Sequence, residues 1–146
     1  MKFGEKVRQL REERGMSQQE LAKKIGISSR ALWAYENQGT YPRKREQYAR
    51  IAEALGVPES YLLSEDEEFE ARAYEQYGAR GKKQAQALTE ELAEIFAAGG
   101  DLEEDDMKAM LEALQEAFWT AKLRNKKYGR KKSQPEESGN PDGVLD

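Results

Sequence analysis

Between Gly15 and Gly39 the chain has room for two short helices and little else. Ser17-Gln-Gln-Glu20 reads as a capping box, in which the serine hydroxyl and the glutamate carboxylate each satisfy a free backbone N–H at a helix start. Leu21, Ala22 and Ile25 form the inner face of the helix that follows. Gly26 comes next, where a left-handed turn needs no Cβ. Ser28 caps a further helix. Leu32 and Tyr35 lie on one of its faces, and Ser29, Trp33 and Asn37 on another. Asn37-Gln38-Gly39 ends it.

The rest of the chain repeats the helical period. No alternating strand pattern appears, so the fold class is all-α. Phe3, Val7 and Leu10 mark a first helix, closed by Gly15. Pro42 sets up a fourth, with Tyr48, Ile51, Ala52 and Leu55 facing inward. Gly56 and Pro58 stop it and start a short fifth segment through Tyr61, Leu62 and Leu63. Residues 1–63 therefore make a five-helix domain. Residues 64–81 read as an acidic joint, Ser64-Glu-Asp-Glu-Glu68, and a short helix over about 67–77 that ends at Gly78 and Gly81. Residues 82–132 read as a helical hairpin. Its first helix covers 82–98, with Leu88, Leu92, Ile95 and Phe96 on one stripe. After Gly99-Gly100, the acids from Asp101 to Asp106 suit the positive end of a helix that carries Met107, Leu111, Leu114, Phe118 and Ala121. The polar residues 133–146 predict a disordered tail.

Composition narrows the chemistry. With no Cys and no His, disulfides, thiolate metal sites, cysteine nucleophiles, histidine bases and most zinc sites are excluded. Carboxylate and lysine chemistry remains, and the reading is of a protein that is not an enzyme and needs no cofactor. The carboxylate clusters at 65–70 and 101–106 lack the glycine and ligand spacing of a calcium loop. They read as solvated acidic faces, with no metal site. No apolar run approaches a membrane span and Met1–Gly15 has no signal-like stretch, so the expected compartment is the cytoplasm. Residues 1–63 hold 12 Lys/Arg against 8 Asp/Glu, and residues 64–146 hold 12 against 20. A basic front half suggests a surface that meets an anion.

The second and third helices fit the helix-turn-helix pattern by which proteins read DNA. Ala22 lets the two helices approach, Gly26 allows the turn, and Ile27 and Leu32 anchor the third helix while its other face stays outward. Any two helices about a glycine imitate part of this, so a generic helical bundle stays open on spacing alone. Arg43-Lys44-Arg45 is a separate signal. Three cations at a helix N-terminus oppose the macrodipole, and an external phosphate would explain them. The stretch Lys122–Lys132 carries seven Lys/Arg and Tyr128. It reads as a cationic helix end with a soluble tail, against a second nucleic-acid arm.

The stretch Phe3–Leu63 resembles the Cro/repressor-type helix-turn-helix family, also called the xenobiotic-response-element type. The residues that carry the likeness are Met16-Ser-Gln-Gln-Glu-Leu-Ala22, Ile25-Gly-Ile-Ser28, Tyr35-Glu-Asn37, Gly39, Pro42 and Ile51 through Val57. The rear half is similar to the helical tails of small regulators from Gram-positive bacteria, through Phe96-Ala-Ala-Gly-Gly100, Ala117-Phe-Trp119 and Ala121 through Tyr128. The first resemblance implies DNA contacts at matching positions. Gln18 would clamp a phosphate and support a base-reading side chain. Ser29, Arg30, Trp33 and Ala34 would lie on the exposed face of the recognition helix. Asn37 and Arg43 would meet the backbone or lie near the minor groove, and Lys44 joins them through the cationic run. Arg30 suits a bidentate pair with guanine, and Trp33 a thymine methyl. Arg11 and Glu36 match a pair that bridges the first and third helices.

The implied function is a sequence-specific transcriptional regulator, a repressor that binds double-stranded DNA at an inverted-repeat operator. It would act as a homodimer through residues 82–128, with Met110 and Trp119 among the pairing surface. The alternative is an antitoxin-like interaction module whose C-terminal helices bind a partner protein. The self-cleaving peptidase domain of larger repressors is β-rich, and no such strands are predicted here.

Overall fold

A computed structural model describes residues 1–132, with side chains through Asn125; the expected disordered tail, 133–146, lies outside the described residues. Among those residues the protein is all helix. The elements are α1 (Phe3–Glu13), α2 (Gln18–Ile25), α3 (Ser29–Asn37), α4 (Arg45–Leu55), α5 (Glu59–Leu62), α6 (Glu65–Gly99) and α7 (Glu104–Lys132).

The local causes are those the sequence implies. The Glu20 N–H donates to Ser17 Oγ at 3.0 Å and the Ser17 N–H to Glu20 Oε1 at 2.8 Å, which completes the capping box of α2. Gly26 takes φ 92, ψ 32, a left-handed conformation that a Cβ would strain. Ser28 Oγ accepts the Ala31 N–H at 3.0 Å and starts α3. The apolar faces close one core from Phe3, Val7, Leu21, Ile25, Leu32, Tyr48, Ile51, Leu55 and Leu62. Each fully buried side chain of this size stabilises the fold by about 1.5–3 kcal/mol. Phe3 is its hub, with its ring 5.8 Å from Tyr35, 5.4 Å from Tyr41 and 5.5 Å from Tyr48.

The first compact unit runs Met1–Glu75, beyond the expected boundary at residue 63. Residues 64–68 are not a joint. Ser64 and Glu67 form a second capping box, with the Glu67 N–H on Ser64 Oγ at 3.2 Å and the Ser64 N–H on Glu67 Oε1 at 3.0 Å. Glu67 is only 1% exposed. Its other oxygen accepts the Phe3 N–H at 2.7 Å and the Tyr41 hydroxyl at 2.6 Å. Ala71 adds to the core. The solvated-face reading thus fails for Glu67 and for Glu70, which is also buried.

Burial alone would raise the Glu67 carboxyl. The hydrogen bonds from Tyr41, Ser64 and Phe3, with the charge of Lys2, outweigh it and hold the group below the usual carboxylate range. A depressed folded value means the stabilisation is present above the ordinary glutamate value and is lost as pH falls through the folded one. Thermal melts from about pH 6 to about pH 3 should therefore fall more steeply for the wild type than for Glu67→Gln. Parallel curves would contradict this.

A helix break was expected at both Gly78 and Gly81. Only Gly78 leaves helical geometry, at φ 75, ψ −165, a region essentially confined to glycine. Gly81 stays helical, because an interior glycine costs about 1 kcal/mol and does not forbid the helix. The second unit begins at Gln76 and pairs the rest of α6 with α7 as an antiparallel hairpin. Tyr77 stacks on Trp119 with 6.4 Å between ring centroids, and Lys122 Nζ donates to Gln84 Oε1 at 2.7 Å. Ala85 and Leu92 are buried. Ile95, placed on the inner stripe by spacing, is 52% exposed, as Leu102 and Met110 also are in part. Trp119 is half-buried against Tyr77 and Phe118, so it is spent within the hairpin.

Candidate nucleic-acid interface

α3 has two unlike faces. Inward, Leu32 is fully buried and Glu36 nearly so. The Glu36 carboxylate joins three helices. Arg11, from α1, donates from Nε to Oε2 at 2.8 Å and from Nη2 to Oε1 at 3.0 Å. Gln18, from α2, donates from Nε2 to Oε1 at 2.9 Å. Arg8 Nε lies 3.6 Å from the same oxygen. A buried carboxylate needs such partners, and removing one side of a buried pair costs about 3–5 kcal/mol. Arg11 also donates to the Met16 carbonyl at 2.8 Å, which ties the turn before α2 to the same cluster.

Outward, Ser29, Arg30 and Trp33 are exposed, Trp33 at 45%. With Gln18 they line one open depression of about 420 Å³. Four of the residues singled out in the sequence therefore come together. Ala34 sits half-buried on the same helix. Asn37, at its end, donates to the Trp33 carbonyl at 3.0 Å and accepts from Arg8 Nη2. Gln18 holds Glu36 directly, which sets its amide beside the exposed face of α3.

The cationic run divides. Lys44 is exposed and serves as the N-cap residue of α4. Arg43 instead donates to the Tyr74 carbonyl at 3.1 Å and the Glu75 carbonyl at 3.4 Å. Arg45 pairs with Glu68 at 2.8 Å. The dipole argument for an external phosphate thus holds no force for these two arginines, because α6 supplies their partners.

Gly4 was missed. A Cβ on it would lie 2.0 Å from the Tyr35 carbonyl oxygen, so α1 and α3 touch backbone to backbone there. The available signal was a glycine in the second position of a helix, where propensity disfavours it. Arg8 and Glu67 were missed as well, although Ser64-x-x-Glu67 repeats the capping signature of Ser17-x-x-Glu20.

Two capped helices about a left-handed glycine, with the second helix locked inside and exposed outside, have a helix-turn-helix geometry. Residues 2–62 match the family described as a helix-turn-helix domain. Over 65 residues the chain is 40% identical to the cryptic phage CTXphi transcriptional repressor RstR of Vibrio cholerae, a match covering 44% of this chain and 58% of that repressor. The chain thus spans less than two thirds of the length of this curated relative. No described helix is long and apolar enough to cross a membrane.

Proposed function

We propose that the protein is a DNA-binding transcriptional regulator that lays α3 in the major groove. One observation carries the reading. The exposed face of α3 and the Gln18 amide share one open depression, while the opposite face is fixed by Glu36 and Leu32. Ser29, Arg30, Trp33 and Ala34 read bases, and Gln18, Asn37 and Lys44 meet the DNA backbone. Arg43 supports that edge from behind. The name of the similar repressor favours repression.

The operator is an inverted repeat bound by a homodimer joined through residues 82–128. The exposed Ile95, Leu102 and Met110 support a pairing surface there. One module buries little DNA, so useful specificity calls for two half-sites. The same three residues also fit an antitoxin-like module with a partner protein. A monomer in light scattering at micromolar concentration would favour that second reading.

Selection of bound duplexes from a random pool tests the proposal. The enriched motif should be an inverted repeat with half-site centres about 34–36 Å apart or a multiple of that. Arg30→Ala should relax one position in each half-site, at about 1–3 kcal/mol. An unchanged motif would remove Arg30 from the reading face.

A further inference from the structure

The segment between α3 and α4, together with the first residue of α4, is pinned at every second residue from Tyr41 to Arg45 by residues 67–75 of α6. Tyr41 donates its hydroxyl to Glu67 at 2.6 Å. Arg43 is held by the carbonyls of Tyr74 and Glu75. Arg45 pairs with Glu68 at 2.8 Å, and its backbone N–H reaches Glu75 Oε2 at 3.3 Å. Lys44 stands between two anchored neighbours, in an extended conformation of φ −88, ψ 138, and is exposed. Lys44 is thus the exposed residue between two that α6 holds in place. Glu67 anchors the front of the clamp, through the Tyr41 hydroxyl. It is buried, and it also holds the start of α1 through the Phe3 N–H.

We infer that residues 65–75 position Lys44 for its contact with a DNA phosphate, with Glu67 as the positioning residue. The inference rests on the DNA-binding reading above. It makes the acidic start of α6 a working part of the basic surface. Simple electrostatics gives the opposite expectation, since removing a negative charge near the interface should tighten DNA binding.

The test uses the full chain and a mixed-sequence duplex of about 30 base pairs, with affinity measured across a salt series. The proteins are wild type, Lys44→Ala, Glu67→Gln, Tyr41→Phe, and each of the last two combined with Lys44→Ala. Circular dichroism establishes that each is folded. Lys44→Ala should lower the salt slope by about one per protomer. Glu67→Gln and Tyr41→Phe should weaken binding and lower the slope in the same direction. In the Lys44→Ala background neither should have a further effect, because the contact they position is gone. Wild-type slopes in both variants, tighter binding, or losses that add in full to that of Lys44→Ala would overturn the inference. Should Glu67→Gln fail to fold, Tyr41→Phe decides, since it removes one hydroxyl and keeps the ring against Phe3. A wild-type chain that binds no duplex would instead bring down the DNA-binding reading itself.

Discussion

Raising salt from about 50 to about 200 mM should weaken duplex binding by the full chain about 3–4-fold for every phosphate that a lysine or arginine neutralises. Lysine and arginine set this loss, because neutral side chains release no counterion. Lys44 is exposed at the N-cap of α4. Gln18 and Asn37 flank the face of α3, and Gln18 also opens α2, whose first N–H groups favour an anion. Arg43 and Arg45 are spent on α6. A complex of two half-sites should therefore lose about tenfold through its two Lys44 contacts alone. A titration in which affinity stays flat with salt would remove Lys44 as a phosphate ligand.

Gly4→Ala should lower the melting temperature of the first unit by at least about 8–16 °C, the equivalent of a net loss of about 2 kcal/mol in a domain of this size. The added Cβ would fall 2.0 Å from the Tyr35 oxygen, 3.0 Å from the Tyr35 carbonyl carbon and 3.3 Å from the Glu36 Cα. All three are backbone atoms, so no rotamer change relieves the clash. α1 and α3 must separate, and overpacking a well-filled core costs about 1–3 kcal/mol or more. Separation also stretches the Arg11–Glu36 pair and loosens the ring contacts of Phe3. The sign is the diagnostic part. Gly→Ala in an unobstructed helix stabilises by about 0.4–1 kcal/mol. A melting temperature that rises would show that the two helices have room to part.

What the sequence disclosed was local. The Ser17–Glu20 box, the Gly26 turn and the Ser28 cap depend on residues within four of one another, and each reads directly from spacing. The five-helix core followed from period alone. Long-range partners were hidden. Gly4 answers to a carbonyl 31 residues away, and nothing in its neighbours states that distance. Glu67 looked like one charge in an acidic run, yet its partners are a hydroxyl at position 41 and an N–H at position 3. Arg43 and Arg45 were assigned to an outside anion because a helix dipole repels them. The carbonyls of Tyr74 and Glu75 and the carboxylate of Glu68 satisfy them within the chain. At the exposed face of α3, Gln18, Ser29, Arg30 and Trp33, which the family resemblance singled out, line one depression. The hydrogen bond that the Gln18 amide donates to Glu36 depended on a buried carboxylate that helical period does not reveal.

The division of α3 into a locked side and an open side has a consequence for how such a chain can change over generations. Leu32, Glu36 and the Tyr35 backbone bind α3 to its neighbours, and alterations there are paid in folding. Ser29, Arg30 and Trp33 are exposed, and exchange at such positions ordinarily moves stability by no more than about 0.5 kcal/mol. On the proposed function, exchange at these three positions changes the bases recognised and leaves the fold intact.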